Sequence, residues 1–125
     1  MITRLSVALD PYGYQGLAKV RIDKIFYLVY DGIIKRVVIR ADDRDFYLPG
    51  SLSFWVNVIN HSGYSFEFIS RGKAVNIKNA TCIDIKECRI HVRLGDISQW
   101  IGMSRPLCQE ITKKYKIIPQ SDRKN

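Results

Sequence analysis

Hydrophobic and polar positions alternate at period two along most of this chain. Leu5, Val7 and Leu9 open the pattern. The run Val20 to Tyr30, VRIDKIFYLVY, is rich in β-branched and aromatic residues, and Ile33 to Ala41, IIKRVVIRA, is a second such run. Asp31-Gly32 between them reads as a tight turn, which predicts a hairpin. Further on, Tyr64, Phe66 and Phe68 alternate with Ser65, Glu67 and Ile69, and Cys88, Ile90, Val92 and Leu94 alternate with Arg89, His91 and Arg93. A strand sends alternate side chains to opposite faces. The first set of each pair is expected in the core, and Arg89, His91 and Arg93 form an outward basic stripe.

Helical spacing is rarer. Leu52, Trp55, Val56 and Ile59 fall at i, i+3, i+4 and i+7, with Ser51 placed to cap and Pro49-Gly50 punctuating the start. A second short helix is expected from Ser104, with Pro106 in its first turn, where a missing N–H costs little. Cys108, Ile111 and Tyr115 would share a face of it. Turns at Asp31-Gly32, Asp42-Asp43, His61-Ser62-Gly63 and Gly95-Asp96 divide the strands at short intervals. That spacing predicts an antiparallel β-sandwich or barrel-like stack, with no internal repeat and no βαβ units. One domain is expected over residues 1–118, followed by a polar tail, 119–125.

Composition sharpens the picture. Hydrophobic residues make up 46% of the 125 residues, enough for a real core. The formal net charge is +8, with a pI near 9.6. Such an excess favours anionic partners, nucleic acid before membrane, although an ordinary basic soluble protein has the same balance. Residues 104–125 carry six basic residues against two acids, half of the net excess. No apolar run approaches the roughly 20 residues that a membrane span needs. Asp10 and Pro11 interrupt any signal-peptide core, so a cytoplasmic location is expected. Cys82, Cys88 and Cys108 have no metal-ligand spacing and are expected as small buried thiols.

No motif of hydrolases, metalloproteases or phosphate-binding loops occurs, and the only histidines are His61 and His91. The expectation is a non-enzymatic chain with no cofactor and no metal. Asp42, Asp43 and Asp45 read as turn chemistry.

The stretch Phe66 to Asp84, FEFISRGKAVNIKNATCID, carries more specific information. Phe66, Arg71, Val75, Asn76 and Ile83 stand in the order of the hallmark of LytTR-type DNA-binding domains. Ile25-Phe26-Tyr27-Leu28, Gly50-Ser51-Leu52 and Ser104-Arg105 fall at further family positions. Over roughly Lys19 to Tyr115 the chain therefore resembles that family. The pattern also departs from it. Phe68 stands where the family has its first arginine, Ser70 and Gly72 replace a histidine and a serine, and Pro106 follows Ser104-Arg105.

The resemblance implies a mostly β fold, an elongated antiparallel β-β-β sandwich with one or two short helices. It implies loops that enter successive major grooves of double-stranded DNA, on direct repeats, with a homodimer possible on the DNA. By position it implies base contacts from Lys35, Arg71 and Arg105. An arginine fork matches guanine O6 and N7, and lysine reaches the same acceptors. Phosphate contacts are expected from Arg36, Lys73, Lys78, Lys113 and Lys114, with Lys116 close by. Asn76 is expected to serve the backbone, and Trp55 and Trp100 the core or its edge.

The functional expectation is a transcriptional regulator that recognises particular DNA sequences; 125 residues leave no room for a receiver domain, so the chain is expected to be either free-standing or a piece of a longer protein. Met1 and the strand-like Ile2 to Leu9 favour the free-standing form. The alternative is a LytTR-like protein-interaction module, such as a regulator antagonist, suggested by Ser70 and Gly72. RNA binding ranks third, for want of an aromatic surface string.

Overall fold

The structure, a computed structural model, describes residues 2–41 and 44–115. The Asp42-Asp43 turn, Lys116 and the polar tail lie outside the described residues. Among the described residues, ten strands and two α-helices build a mostly β, antiparallel fold.

The first hairpin joins β1 (Arg4–Ala8) to β2 (Leu17–Arg21). Beyond β2 the run Val20 to Tyr30 is not one strand. A 3-10 turn, Ile22–Lys24, interrupts it before β3 (Ile25–Asp31). The interruption buries Ile22 completely and leaves Asp23 and Lys24 exposed. β3 pairs with β4 (Arg36–Ala41), and β4 pairs with β5 (Asp45–Leu48). The expected hairpin is present, but its loop is longer than a tight Asp31-Gly32 turn. Asp31 pairs with Arg36, so residues 32–35 form a four-residue loop, and Ile33 at its tip is 93% exposed.

α1 (Leu52–Asn60) begins where the sequence placed it. Ser51 has an extended backbone, and its hydroxyl accepts the Phe54 N–H at 3.1 Å. Such a cap contributes about 1 kcal/mol. Leu52, Val56 and Ile59 are buried, whereas Trp55 is half-buried and donates its indole N–H to the Pro49 carbonyl. Asn60 then mimics a strand partner. Its side-chain amide donates to the Phe66 carbonyl at 2.9 Å and accepts the Phe66 N–H at 2.7 Å. That pair of bonds fixes the start of β6 (Phe66–Ser70).

β6 pairs with β7 (Lys73–Asn76), and β7 pairs with β3, giving the sheet order β2-β1-β5-β4-β3-β7-β6. The register slips between Phe68 and Ser70. The alternation of faces nevertheless holds, with Tyr64, Phe66 and Phe68 on one side and Glu67 and Ile69 on the other. Phe66 is buried in one core, Phe68 and Tyr64 pack only partly against it, and Ile69 is fully buried in another. A second 3-10 turn, Ile77–Asn79, follows β7 and leads into the three-stranded sheet of β8 (Ala80–Asp84), β9 (Arg89–Leu94) and β10 (Ile97–Gly102). α2 (Arg105–Tyr115) closes the described chain, burying Cys108 and Ile111.

The large sheet separates two cores. Val7, Ile25, Leu28 and Ile39 pack with α1 on one side, and Phe26, Ile69, Val75, Ile83, Ile90 and α2 pack on the other. Burying each of these large side chains contributes about 1.5–3 kcal/mol. The β1–β2 hairpin meets the rest of the sheet through one residue pair, Ala8 with Tyr47, while Val7 and Val20 join the α1 core. Three β units thus stack on two cores.

The fold also contains a recurring unit that a search for sequence repeats misses. Val20-Arg21-Ile22 enters one 3-10 turn, and Val75-Asn76-Ile77 enters the other. Each turn leads to a strand ending in an aspartate, then a four-residue loop, then an arginine: Asp31 to Arg36 and Asp84 to Arg89. In both loops the last residue is left-handed, Lys35 at φ 57° and Cys88 at φ 53°. Both aspartates accept loop N–H groups, Asp31 from Ile33 and Ile34 and Asp84 from Glu87.

Candidate nucleic-acid interface

The 32–35 loop positions Lys35. Its N–H returns to the Asp31 carbonyl at 2.8 Å, and its left-handed backbone costs about 1–2 kcal/mol for a residue with a Cβ. Because Cys88 shares this conformation in the sister loop, the strain belongs to the loop type and is no mark of function. Lys35 itself is exposed.

Arg71 is exposed in the turn between β6 and β7, and the Gly72 carbonyl of that turn accepts the Tyr30 N–H at 2.9 Å. The bond extends the β3–β7 ladder and sets the Arg71 turn beside the 32–35 loop. Gly72 needs no special conformation, since a Cβ there would meet only the Tyr30 carbonyl oxygen at 4.0 Å. Lys35 and Arg71 therefore share one concavity of about 660 Å³. Its walls are Tyr30 and Phe68, with Leu52 from the first turn of α1. Gly50, at φ 90°, turns the chain into that helix.

Arg105 arrives from a third direction. Ser104 donates its N–H to the Ile69 carbonyl at 2.8 Å, which docks the start of α2 against the end of β6. Arg71 follows just beyond that end. The three side chains predicted to read bases thus come from distant parts of the sequence to one end of the fold.

Their electrostatic state sets Arg71 and Arg105 apart from most of the arginines. Arg21, Arg40 and Arg89 pair with Asp23, Asp45 and Asp84. Arg36, Arg44 and Arg93 donate to backbone carbonyls. Among the described residues, Lys35, Arg71 and Arg105 have no hydrogen-bond or ion-pair partner for their charged groups, a state they share with Arg4, Lys19, Lys24, Lys73, Lys78, Lys86 and Lys113.

The residues expected at phosphates are more scattered. Arg36 donates to the carbonyls of Pro11 at 2.8 Å and Lys35 at 2.9 Å, so it ties two loops together. Lys73 is half-buried on β7, two residues from Arg71. Lys78 lies in the 3-10 turn beyond the other end of β7, away from the Arg71 turn. Lys113 and Lys114 are exposed in the last turn of α2, about 12 Å along the helix from Arg105 at 1.5 Å per residue. Lys114 is paired with Glu67 at 2.9 Å. Asn76 serves the backbone as expected. It is 3% exposed, and its side-chain oxygen accepts the Lys78 N–H.

Other features were missed by sequence. The β1–β2 loop presents Tyr12 and Tyr14, 62% and 88% exposed, held by Asp10 accepting the Tyr12 and Gln15 N–H groups. Those backbone bonds, the Gln15 one first, hold the Asp10 carboxyl below its ordinary pKa. The turn-rich string Asp10 to Gly16 was the available signal. Cys82 is half-buried, unlike the buried Cys88 and Cys108. Burial, chiefly, pushes the Cys108 thiol up. Arg89 stacks 4.5 Å over the Trp100 ring on the outer face of the small sheet, beside His91. Among the described residues no cluster of three His, Cys, Asp or Glu could hold a metal, and no helix is long and apolar enough to cross a membrane.

No family model and no curated protein matches the chain. Among solved structures, a LytTr DNA-binding domain from Bacillus cereus superposes with a TM-score of 0.68. The match covers 90% of this chain and 96% of that one at 15% identity. This chain has the LytTR-type fold. The expected class, mostly β with antiparallel sheets and two helices, is the class observed.

Proposed function

We propose that this protein binds double-stranded DNA as a transcriptional regulator, presenting the end of the fold that carries Lys35, Arg71 and Arg105 to the major groove. The observation that carries this reading is the convergence of three unpartnered cations from separate segments at that end. Unpaired guanidinium and ammonium groups are free to meet base acceptors without first breaking an ion pair. The similar fold of a LytTr DNA-binding domain supports it.

In this arrangement Arg71 and Lys35 read neighbouring bases, Arg105 reads along the groove, and Lys73 holds a flanking phosphate. Binding as pairs on direct repeats, with contacts between two copies on the DNA, extends the reading. Selection from a random duplex library, with wild type and Arg71→Ala in parallel, tests it. A repeated motif that blurs in the variant is the expected result. No enrichment by folded wild type at low salt would overturn DNA reading and favour a protein-binding role for the same surface.

A further inference from the structure

We infer that the concavity between Lys35 and Arg71 is also a binding site for an amphipathic organic anion, a carboxylate or phosphate carried on a flat apolar body. Its volume, about 660 Å³, is that of a small-molecule site, typically about 300–1,000 Å³. Its lining divides by chemistry. Tyr30, Leu52 and Phe68 supply apolar walls, Lys35 and Arg71 supply two charges, and among the described residues no Asp or Glu lines it.

The first turn of α1 adds to the same polarity. The Ser51 hydroxyl takes the Phe54 N–H, while the N–H groups of Leu52 and Ser53 lie where a helix has no internal acceptor. A duplex satisfies only half of this lining. Its grooves present base edges and phosphates, and the thymine methyl is the main apolar group it could set against Tyr30, Leu52 and Phe68. Inorganic phosphate satisfies the cations alone, and a neutral hydrocarbon the walls alone. An amphipathic anion satisfies both.

A ligand held there occupies Lys35 and Arg71, so it competes with DNA for them. That competition rests on the DNA-binding reading; occupancy of the site does not. Such competition gives the chain a chemical input.

Titration of the ¹⁵N-labelled full chain with 2-naphthoate, 2-naphthyl phosphate, neutral 2-naphthol and inorganic phosphate tests the site. Expected are saturable amide shifts at Lys35, Gly50 to Ser53 and Gly72 with one or both naphthyl anions, and the stronger anion identifies the head group. Lys35→Gln and Arg71→Gln should each weaken binding about tenfold, equivalent to about 1.4 kcal/mol. Ser53→Phe, at an exposed helix position, should fill the concavity and abolish binding. Equal binding of 2-naphthol, equal saturation by inorganic phosphate, shifts centred elsewhere, or no saturation in the millimolar range would each overturn the site. Added duplex should displace the naphthyl anion. A duplex that binds without displacing it overturns the competition, whereas a chain that binds the anion but no duplex overturns the DNA reading and leaves the site standing.

Discussion

Ser104 and Ile69 are joined by a backbone hydrogen bond of 2.8 Å, which docks the start of α2 at the end of β6. Arg105 therefore opens a helix that starts beside the strand leading to Arg71, although the two are far apart in sequence. Replacing either by alanine should cost about 1–3 kcal/mol in discrimination between a selected site and a scrambled duplex. Stability should change by no more than about 0.5 kcal/mol, because both side chains are exposed and unpartnered. Competition binding and thermal melting on the same samples check this. Equal discrimination in both variants would remove them from the reading surface.

Arg36 should behave differently from its neighbour Lys35. Its guanidinium bonds the carbonyls of Pro11 and Lys35, so Arg36→Ala leaves two loops untied. We expect a loss of about 1 kcal/mol in unfolding free energy, below the usual value for charged hydrogen bonds because the site is half-exposed. Lys35→Ala should leave stability almost unchanged. Urea denaturation of the two variants separates these outcomes.

The lysines should divide by position. Removing one lysine from a phosphate makes the dependence of log affinity on log salt shallower by about 1. Lys73→Ala is expected to show that change. Lys78→Ala is not, because its 3-10 turn lies at the opposite end of β7. A slope change in Lys78→Ala and none in Lys73→Ala would mean that the duplex lies on another face.

Asn60 bonds both backbone groups of Phe66 through one side-chain amide. Asn60→Ala strands both backbone groups of Phe66, at a cost of about 1–3 kcal/mol. Asn60→Asp keeps the acceptor and loses the donor, so its cost should fall between the two. Thermal melting ranks the three chains, and equal melting temperatures would show that water replaces the side chain freely.

Glu67 should govern alkaline stability. The Tyr115 hydroxyl and the Lys114 ammonium both donate to its carboxylate. Burial and then the Glu67 bond raise the Tyr115 pKa above 10.0, and the hydrogen bond and charge of Glu67 raise that of Lys114 above 10.5. The folded chain thus holds these protons more tightly than the unfolded chain. The stabilisation is complete below the ordinary values and is lost as pH rises through the folded ones. Denaturation between about pH 8 and pH 11.5 should show a fall above about pH 10. In Glu67→Gln the fall should shrink but persist, since burial still acts on Tyr115.

Much of this molecule could be read from its residues because period two reports directly on strands with one buried face. Ile90, Val92 and Leu94 are buried and Arg89 and Arg93 are exposed, as the alternation requires. The pattern failed where the backbone leaves the ideal pleat. Ile22 continues an apolar run but occupies a 3-10 turn. Ile33 is apolar yet belongs to a loop whose length is set by Asp31 and the left-handed Lys35. For the candidate site, the resemblance suggested Lys35, Arg71 and Arg105 one at a time. It could not show Tyr30 and Phe68 between the first two, since that depends on how β3, β7 and β6 pair.

The ladder between β3 and β7 joins Val29 to Lys73 across a long stretch of chain, while the neighbouring hairpins close over short ones. Closing long loops is entropically slower than closing short ones, so local hairpins have a kinetic advantage over this ladder. Lys35 and Arg71 meet only when the ladder is made. The concavity thus depends on a long-range pairing, and neither hairpin, excised or grafted elsewhere, would carry it along.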